Sequence, residues 1–545
     1  MKRVMLELRH NPELTAAATE GRAVAPPLSG FRLDEGFAPV ALPALLPPAP
    51  SEDARATGES PVVDATPGHG TWLVRGEMAE GRAMPKLPEG VVGIYADAEV
   101  QPAIICPGSG PLGTHLDVER LVGVPALQRC GMDGAGVLVA IVDTGVNMAR
   151  LNAAGKTPTF DAARSFSTIA GVTPGSAAVG HGTMCAFDAC IAAPRCTLLD
   201  IAVLGPATGG FAGLLSDIVR AYGHLQTVMS APRRPGEARS LVVNNSWALF
   251  NMASDFPVGD PRNYSDNANH PMNRAVAALE ALGADILFAA GNCGGDCPDG
   301  RCDATTSTIR GANSHPAVLS VAGVDTTRTR VGYSSVGPGR LARNKPDISG
   351  YTHFSGSGVF AADGGTSAAC PVVAGVVAAL RSIRPFNPAD VTSHPAAIRS
   401  FMTATASDLG TTGYDFAHGF GVVSGSAIAR RSCATITPGR GSLCERYPFL
   451  CDPPKIEFDL CRRYPWLCDK SFVPPLWPRP RPPVPVPPRP DWRPFQAGPE
   501  TEEPGPMAEP DPVELAYIRG VQDGWAMNTG PAEPAPAKGC GCRKD

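Results

Sequence analysis

The 545-residue chain is too long for one ordinary domain, and at about 150 residues per domain it predicts three or four units. Hydrophobic residues make up 43% and charged residues 18%, enough apolar material for a large core and too much for wholesale disorder. The formal charge of −5 is small, and no long Lys/Arg block is present to track a phosphate backbone or an anionic membrane, which argues against a nucleic-acid partner.

The chain opens Met1-Lys2-Arg3, and Glu7, Arg9 and Glu13 interrupt the stretch where a secretory signal needs an unbroken apolar run. No Sec-type signal peptide is expected. Sixteen cysteines point the other way, to an oxidising compartment, so the sequence assigns no localisation. The most apolar stretches, such as Pro371 to Leu380, are shorter than the ~20 residues that cross a bilayer, and no membrane span is expected. Ala25 to about Gly70 is rich in Pro, Ala, Gly and acidic residues and reads as a flexible connection. Thr71 to Arg75 and Val91 to Asp97 then read as two short strands of a small α/β unit, which completes an N-terminal region over residues 1–115.

From 116 to 435 short apolar runs alternate with segments of helical period, the signature of a doubly wound, mostly parallel sheet with helices on both faces. Gly136 to Val142 is apolar without alternation, as a strand buried on both faces is. Phe211, Leu214, Leu215, Ile218, Tyr222 and Leu225 recur at spacings of three and four, which predicts an amphipathic helix from Phe211 to Met229. Leu241 to Asn245 reads as the next strand. Met272 to Leu282 reads as a helix stopped by Gly283, and Asp285 to Ala290 as another buried strand.

Acyl transfer at a peptide bond needs a nucleophile, a base, a group that orients the base, and donors for the developing oxyanion. Asp143 follows the buried strand in Ile141-Val142-Asp143-Thr144-Gly145, at a carboxyl end of the sheet, and suits the orienting group. His181, in Gly180-His181-Gly182-Thr183 at the head of a helical stretch, suits the base. Ser367, in Gly364-Gly365-Thr366-Ser367-Ala368-Ala369-Cys370-Pro371, stands where glycines permit close approach and a helix begins, and suits the nucleophile. Asn292, ending Ala289-Ala290-Gly291-Asn292 after a buried strand, can donate its side-chain amide to the oxyanion. The Ser367 N–H is the second donor.

These motifs resemble those of the subtilisin-like serine peptidases, the subtilase family. Ile-Val-Asp-Thr-Gly, His-Gly-Thr, Ala-Ala-Gly-Asn and Gly-Thr-Ser-x-Ala-x-Pro each match a family motif, in family order. Asn244-Asn245-Ser246-Trp247 resembles the strand that pairs with substrate in that family, which implies substrate contacts at Asn245, Ser246, Trp247 and Ala248. Tyr333 to Pro338 resembles a motif that precedes the nucleophile. The likeness covers about 116–435 and implies a serine endopeptidase acting on a protein or peptide substrate through an acyl-enzyme, with no cofactor required for the chemistry. An aspartic peptidase would need two Asp-Thr-Gly carboxylates, and this chain has one.

Departures from the family pattern are Ala368 where Met is usual, Met184-Cys185-Ala186-Phe187 after the His-Gly-Thr motif, and Cys293, Cys297 and Cys302 crowded after Asn292. Calcium is common in the resembled family, yet the oxygen-rich loop Asn263 to His270 is read as polar for solvation, and no metal site is assigned. Cys185 and Cys370, near the candidate His and Ser, are read as small core residues without a catalytic role. Residues 71 to about 105 resemble by position the small propeptides of many subtilases, units that block the cleft with a C-terminal strand.

The last 112 residues hold 24 of the 57 prolines and four of the six tryptophans. Within this tail, from 436 onward, Cys-x-Arg-Tyr-Pro-x-Leu-Cys-Asp occurs at Cys444 to Asp452 and again at Cys461 to Asp469. Six residues separate the paired cysteines, more than zinc knuckles use, so two disulfide-clipped, partner-binding loops are the first reading and zinc the second. Pro474 to Pro490 reads as a polyproline spacer and Val513 to Trp525 as a short helix. The tail thus leaves a second reading of the chain, a scaffold or partner-docked processing peptidase whose tail selects one substrate.

Overall fold

A computed structural model describes residues 2–45, 63–64, 70–78, 87–102, 110–207, 210–231 and 240–433. All of them belong to one unit of the chain, residues 1–451. The cysteine repeat, the proline spacer and the helix expected at Val513 to Trp525 lie outside the described residues.

The N-terminal region is an antiparallel sheet. Its strands are β1 (Lys2–Arg9), β2 (Phe31–Leu33), β3 (Val40–Leu42), β4 (Thr71–Met78) and β5 (Val91–Ala96), with helix α1 (Pro12–Thr19) after β1. β1 lies between β4 and β5, and β2 and β3 both pair with β4. This corrects one expectation and adds a strand that the sequence reading did not place. Part of the stretch read as a flexible connection supplies two strands, because Val40 and Leu42 alternate inward and are buried. The charged N-terminus supplies the middle strand, because Val4, Met5, Leu6 and Leu8 are fully buried and Glu7 is neutralised inside. A further strand, β6 (Glu99–Pro102), leaves this sheet.

The large domain follows, with α2 (His115–Val122), α3 (Val124–Arg129), β7 (Val137–Asp143), α4 (His181–Ala192), β8 (Thr197–Ala202), β9 (Gly210–Leu214), α5 (Leu215–Ser230), β10 (Ser240–Asn245) and β11 (Trp247–Ala248). After these come α6 (Pro271–Ala281), β12 (Ala284–Ala289), β13 (Val318–Val324), β14 (Ile348–Tyr351), α7 (Gly365–Ile383), α8 (Pro395–Ala404) and α9 (Gly425–Cys433). The central sheet is parallel in the order β8-β7-β10-β12-β13-β14. Successive β7 residues serve two cores: Val137, Val139 and Ile141 join one with α4 and α7, while Leu138, Ala140 and Val142 join the other with α5 and α6. That two-sided burial is why the strand reads as continuously apolar.

The N-terminal sheet shares the second core, with Val4, Leu6 and Leu73 in the same cluster as Leu215 and Met272. Polar contacts from this region reach both helices of that core. Arg274 on α6 donates to both Glu7 oxygens at 2.7 and 2.8 Å, with both side chains nearly fully buried. Asp97 accepts from the Ser216 N–H and hydroxyl at the head of α5. The helix expected from Phe211 begins at Leu215 instead. Phe211 to Leu214 belong to β9, where a side chain at Gly213 would meet the Val203 carbonyl oxygen at 2.6 Å. α7 is long and apolar enough to cross a bilayer by composition, and it lies buried along most of its length in the middle of the domain.

Candidate active site

The carboxyl ends of the central strands converge, as open α/β sheets require of their sites. β7 ends on Asp143, β10 runs into Ser246, and Asn292 follows β12. His181 Nδ1 lies 2.9 and 3.0 Å from the two Asp143 oxygens, with Asp143 fully buried. A carboxylate there accepts, so in the neutral imidazole Nδ1 carries the proton and Nε2 the lone pair. Nε2 is buried and has no hydrogen-bond partner among the described residues.

The residues flanking these two side chains explain their motifs. Thr144 Oγ1 accepts from Gly182 N–H at 2.9 Å, and Thr183 Oγ1 accepts from Asn147 N–H at 3.0 Å, so each motif's threonine ties the other motif's loop. A side chain at Gly182 would meet the Gly145 carbonyl oxygen at 2.5 Å, and Gly145 itself has φ +99°. Both glycines are therefore demanded by backbone crossing at the site.

Ser367 is the third residue of α7. Its Oγ donates to the Ser246 carbonyl at 3.1 Å. Pro371 lies four residues on and has no N–H, so the Ser367 carbonyl is released from the helical ladder. It accepts instead from Ser246 Oγ at 3.0 Å and from Cys185 Sγ at 3.5 Å. The proline of Gly-Thr-Ser-x-Ala-x-Pro thus frees the carbonyl that ties the serine to the cleft strand.

Asn292 is oriented by the residue before Ser367: its Oδ1 accepts from Thr366 N–H and from Thr366 Oγ1, each at 2.9 Å, which makes its Nδ2 the donor end. Cys293 and Cys302 form a disulfide immediately after it, and Cys297 is disulfide-bonded as well. Cys185 packs beneath the pair, 3.8 Å from both Asp143 and His181. Burial pushes its thiol well above the ordinary range, and the Asp143 carboxylate adds to this. Cys370 is buried with its Sγ 3.9 Å from the Asn245 carbonyl. In the loop Asn263 to His270, Asp266 pairs with Arg340 and His270 Nε2 lies 2.9 Å from the Ala96 carbonyl.

Beside Ser367 runs an extended peptide, and it comes from this chain. β6 is held antiparallel between β9 and β11, with Val100 opposite Gly213, Gln101 opposite Ala248 and Pro102 opposite Trp247. The next rung belongs to Ser246, whose carbonyl accepts the Ser367 hydroxyl. Of the four residues expected to contact substrate, Ser246, Trp247 and Ala248 line this cleft. The Asn245 side chain points elsewhere, to Tyr222 and the Leu287 carbonyl. β9 as the opposite wall escaped the sequence reading, although Gly209-Gly210 and Gly213 mark a break in the helical period.

A parallel sheet with a buried His–Asp pair, a serine at a helix head and an asparagine beside it defines a hydrolase of the serine type. The model of the subtilase family matches residues 134–421, and the chain belongs to that family. It is a serine endopeptidase. Subtilisin DY of Bacillus licheniformis is 26% identical over 320 residues, 57% of this chain and 97% of that protein. Subtilisin E of Bacillus subtilis (strain 168) is 26% identical over 320 residues, 57% of this chain and 70% of that protein. Subtilisin BL of Lederbergia lenta is 26% identical over 311 residues, 57% and 96%.

Proposed function

We propose that Ser367 is the nucleophile, His181 the general base, Asp143 its orienting partner and Asn292 an oxyanion donor, and that the N-terminal region holds this site in a self-blocked state. The observation that carries the proposal is the buried 2.9 Å Asp143–His181 contact, with Nε2 left without a hydrogen-bond partner among the described residues.

The chemistry follows from these groups. Rotation about the Ser367 Cα–Cβ bond takes Oγ from the Ser246 carbonyl toward His181 Nε2, a contact that resting structures commonly leave unmade. Oγ attacks the scissile carbonyl carbon and its proton passes to Nε2. Asp143 stabilises the imidazolium without itself taking the proton. Asn292 Nδ2 and the Ser367 N–H receive the oxyanion. The C–N bond breaks, Nε2 returns the proton to the leaving amine, and water resolves the acyl-enzyme by the same route. No cofactor enters these steps.

Self-blocking is supported by β6, which takes the two-sided antiparallel pairing a substrate would take and ends one rung short of Ser246. The substrate contacts are then backbone pairing to Trp247 and Ala248 on one side and to β9 on the other. A serine-directed phosphonate should label Ser367 alone, and Ser367→Ala should abolish peptide cleavage with an unchanged melting temperature. Label on another residue, or retained activity in that variant, contradicts the assignment.

A further inference from the structure

We infer that the Tyr333 hydroxyl, acting with Thr352, clamps the Gly365 peptide and so positions Ser367 for acylation. The inference rests on Ser367 being the nucleophile.

α7 begins without a side-chain cap, because its N-cap residue is Gly364. The first N–H groups of a helix need partners from outside it. Thr366 N–H goes to Asn292 Oδ1, and Gly365 N–H goes to the Tyr333 hydroxyl at 3.0 Å. The Gly365 carbonyl is also held, by Thr352 Oγ1 at 2.6 Å. Thr352 spends its proton there, so the 3.1 Å contact between the Tyr333 and Thr352 hydroxyls is donated by Tyr333. The three bonds close a ring around one peptide unit: Gly365 N–H to Tyr333, Tyr333 O–H to Thr352, Thr352 O–H to the Gly365 carbonyl. Such a ring uses every donor in it and each bond polarises the next.

The peptide so gripped needs gripping. Gly365 has φ +71° and lies two residues before Ser367. Tyr333 and Thr352 are 2% and 0% exposed, so water does not replace a lost partner. Packing alone asks only for an aromatic ring at 333, and the hydroxyl is spent wholly on the nucleophile's turn.

Tyr333 also belongs to the strap that fixes Asn292. Its carbonyl accepts from Gly294 N–H at 2.8 Å, Ser335 N–H donates to the Gly291 carbonyl at 2.9 Å, and Ser335 Oγ accepts from Cys293 N–H at 3.0 Å. One three-residue segment therefore grips the backbone on both sides of Asn292 and the turn before Ser367. It sets the spacing between nucleophile and oxyanion donor. Tyr333 and Thr352 are positioning residues, since neither touches the reacting atoms.

The test compares Tyr333→Phe, Thr352→Val, Thr352→Ser and the double variant Tyr333→Phe/Thr352→Val with the parent, using a peptide substrate and a serine-directed phosphonate. A loose nucleophile costs rate and spares binding. Tyr333→Phe and Thr352→Val should each lower kcat on the order of 10-fold with KM changed less than about twofold. The rate of phosphonylation should fall by the same factor. The double variant should be no slower than the slower single variant, because either change opens the ring. Thr352→Ser, which keeps the hydroxyl, should recover most of the rate lost in Thr352→Val. If Tyr333→Phe does not fold, the contrast between the two Thr352 variants decides alone. Unchanged kcat in the single variants, a loss confined to KM, additive losses, or no recovery in Thr352→Ser overturns the inference. Peptide mapping of the label separates this from failure of the underlying assignment, since a label away from Ser367 overturns the nucleophile itself.

Discussion

At the scale of single residues, the site is built from short polar side chains that hold backbone. Thr144 and Thr183 join the loops of Asp143 and His181. Thr366 turns the Asn292 amide so that Nδ2 is its donor end, accepting from Gly291 N–H at 3.1 Å while it does so. In the proposed role of oxyanion donor, Asn292 is thereby pre-set and would cost no reorganisation during reaction. Asn292→Ala should lower kcat on the order of 10²–10³, a size we take from removal of such a donor in subtilisin itself. Steady-state kinetics check it: a loss seen only in KM would mean that Asn292 contacts the ground state and not the oxyanion.

Motif spacing made the candidate site legible, because Asp143, His181, Asn292 and Ser367 each sit in a turn whose neighbours are dictated by backbone approach. The supporting ring was not legible. Tyr333 and Thr352 are separated from Gly365 along the chain, and only the fold brings a phenol and a hydroxyl to the same peptide. Asn245 was read as a substrate contact because it stands in the right strand. Strand alternation sends its side chain to Tyr222 and that of Trp247 to Phe288 on the same buried face, so what Trp247 and Ala248 present to β6 is backbone.

At the scale of elements, the parallel strands announced themselves as unbroken apolar runs. The N-terminal strand β1 did not, because Lys2, Arg3, Glu7 and Arg9 disguise it. Glu7 is buried through its bond to Arg274, and a charge inside a strand reads as exposure until its partner is known. β9 was hidden for another reason: Phe211 and Leu214 fall in phase with the helix that follows. The Glu7–Arg274 pair has a consequence for self-blocking. Breaking a buried pair from one side costs about 3–5 kcal/mol, because the remaining charge stays uncompensated. Removing residues 1–110 exposes Arg274, so the cost falls on docking. Arg274→Ala in the processed domain should weaken inhibition by an added 1–110 fragment by about 100-fold or more. An inhibition constant within threefold of the parent's would show that the apolar sheet face, and not this pair, sets the affinity.

For the whole molecule, buried ionisable groups tie stability to pH in two opposing directions. Burial raises Asp97, Asp200 and Asp363 from 3.8 to about 6. The fold then holds protons that the unfolded chain has lost, so their contribution is complete below about pH 3.8 and disappears as pH rises through about 6. Burial lowers His270 and His315 from 6.5 to about 3, so their contribution is present above about 6.5 and is lost as pH falls toward 3. The two sets oppose each other over the same window, and a single-group variant isolates one of them. Asp363, which accepts from the Ser357 N–H and hydroxyl, is the best placed. The melting temperature of Asp363→Asn relative to the parent should rise by a few degrees between pH 4 and pH 7.5. A difference that does not change with pH would mean that Asp363 is already ionised throughout.

On the proposed reading, the molecule is a peptidase whose own strand β6 pairs where a substrate strand would. β6 ends at Pro102, beside Trp247, and the chain resumes at Gly110 after a segment, 103–109, outside the described residues. If Ser367 cuts peptide bonds and β6 enters the cleft as a substrate does, the first bond cut lies in that segment. Intact-mass measurement of the purified wild-type chain and of Ser367→Ala, made side by side, tests this most directly. The wild-type protein should yield a new N-terminus between residues 103 and 110 while Ser367→Ala remains uncut there. The same cut appearing in Ser367→Ala, or a wild-type chain that hydrolyses added peptide yet is never cut in that segment, would contradict that reading.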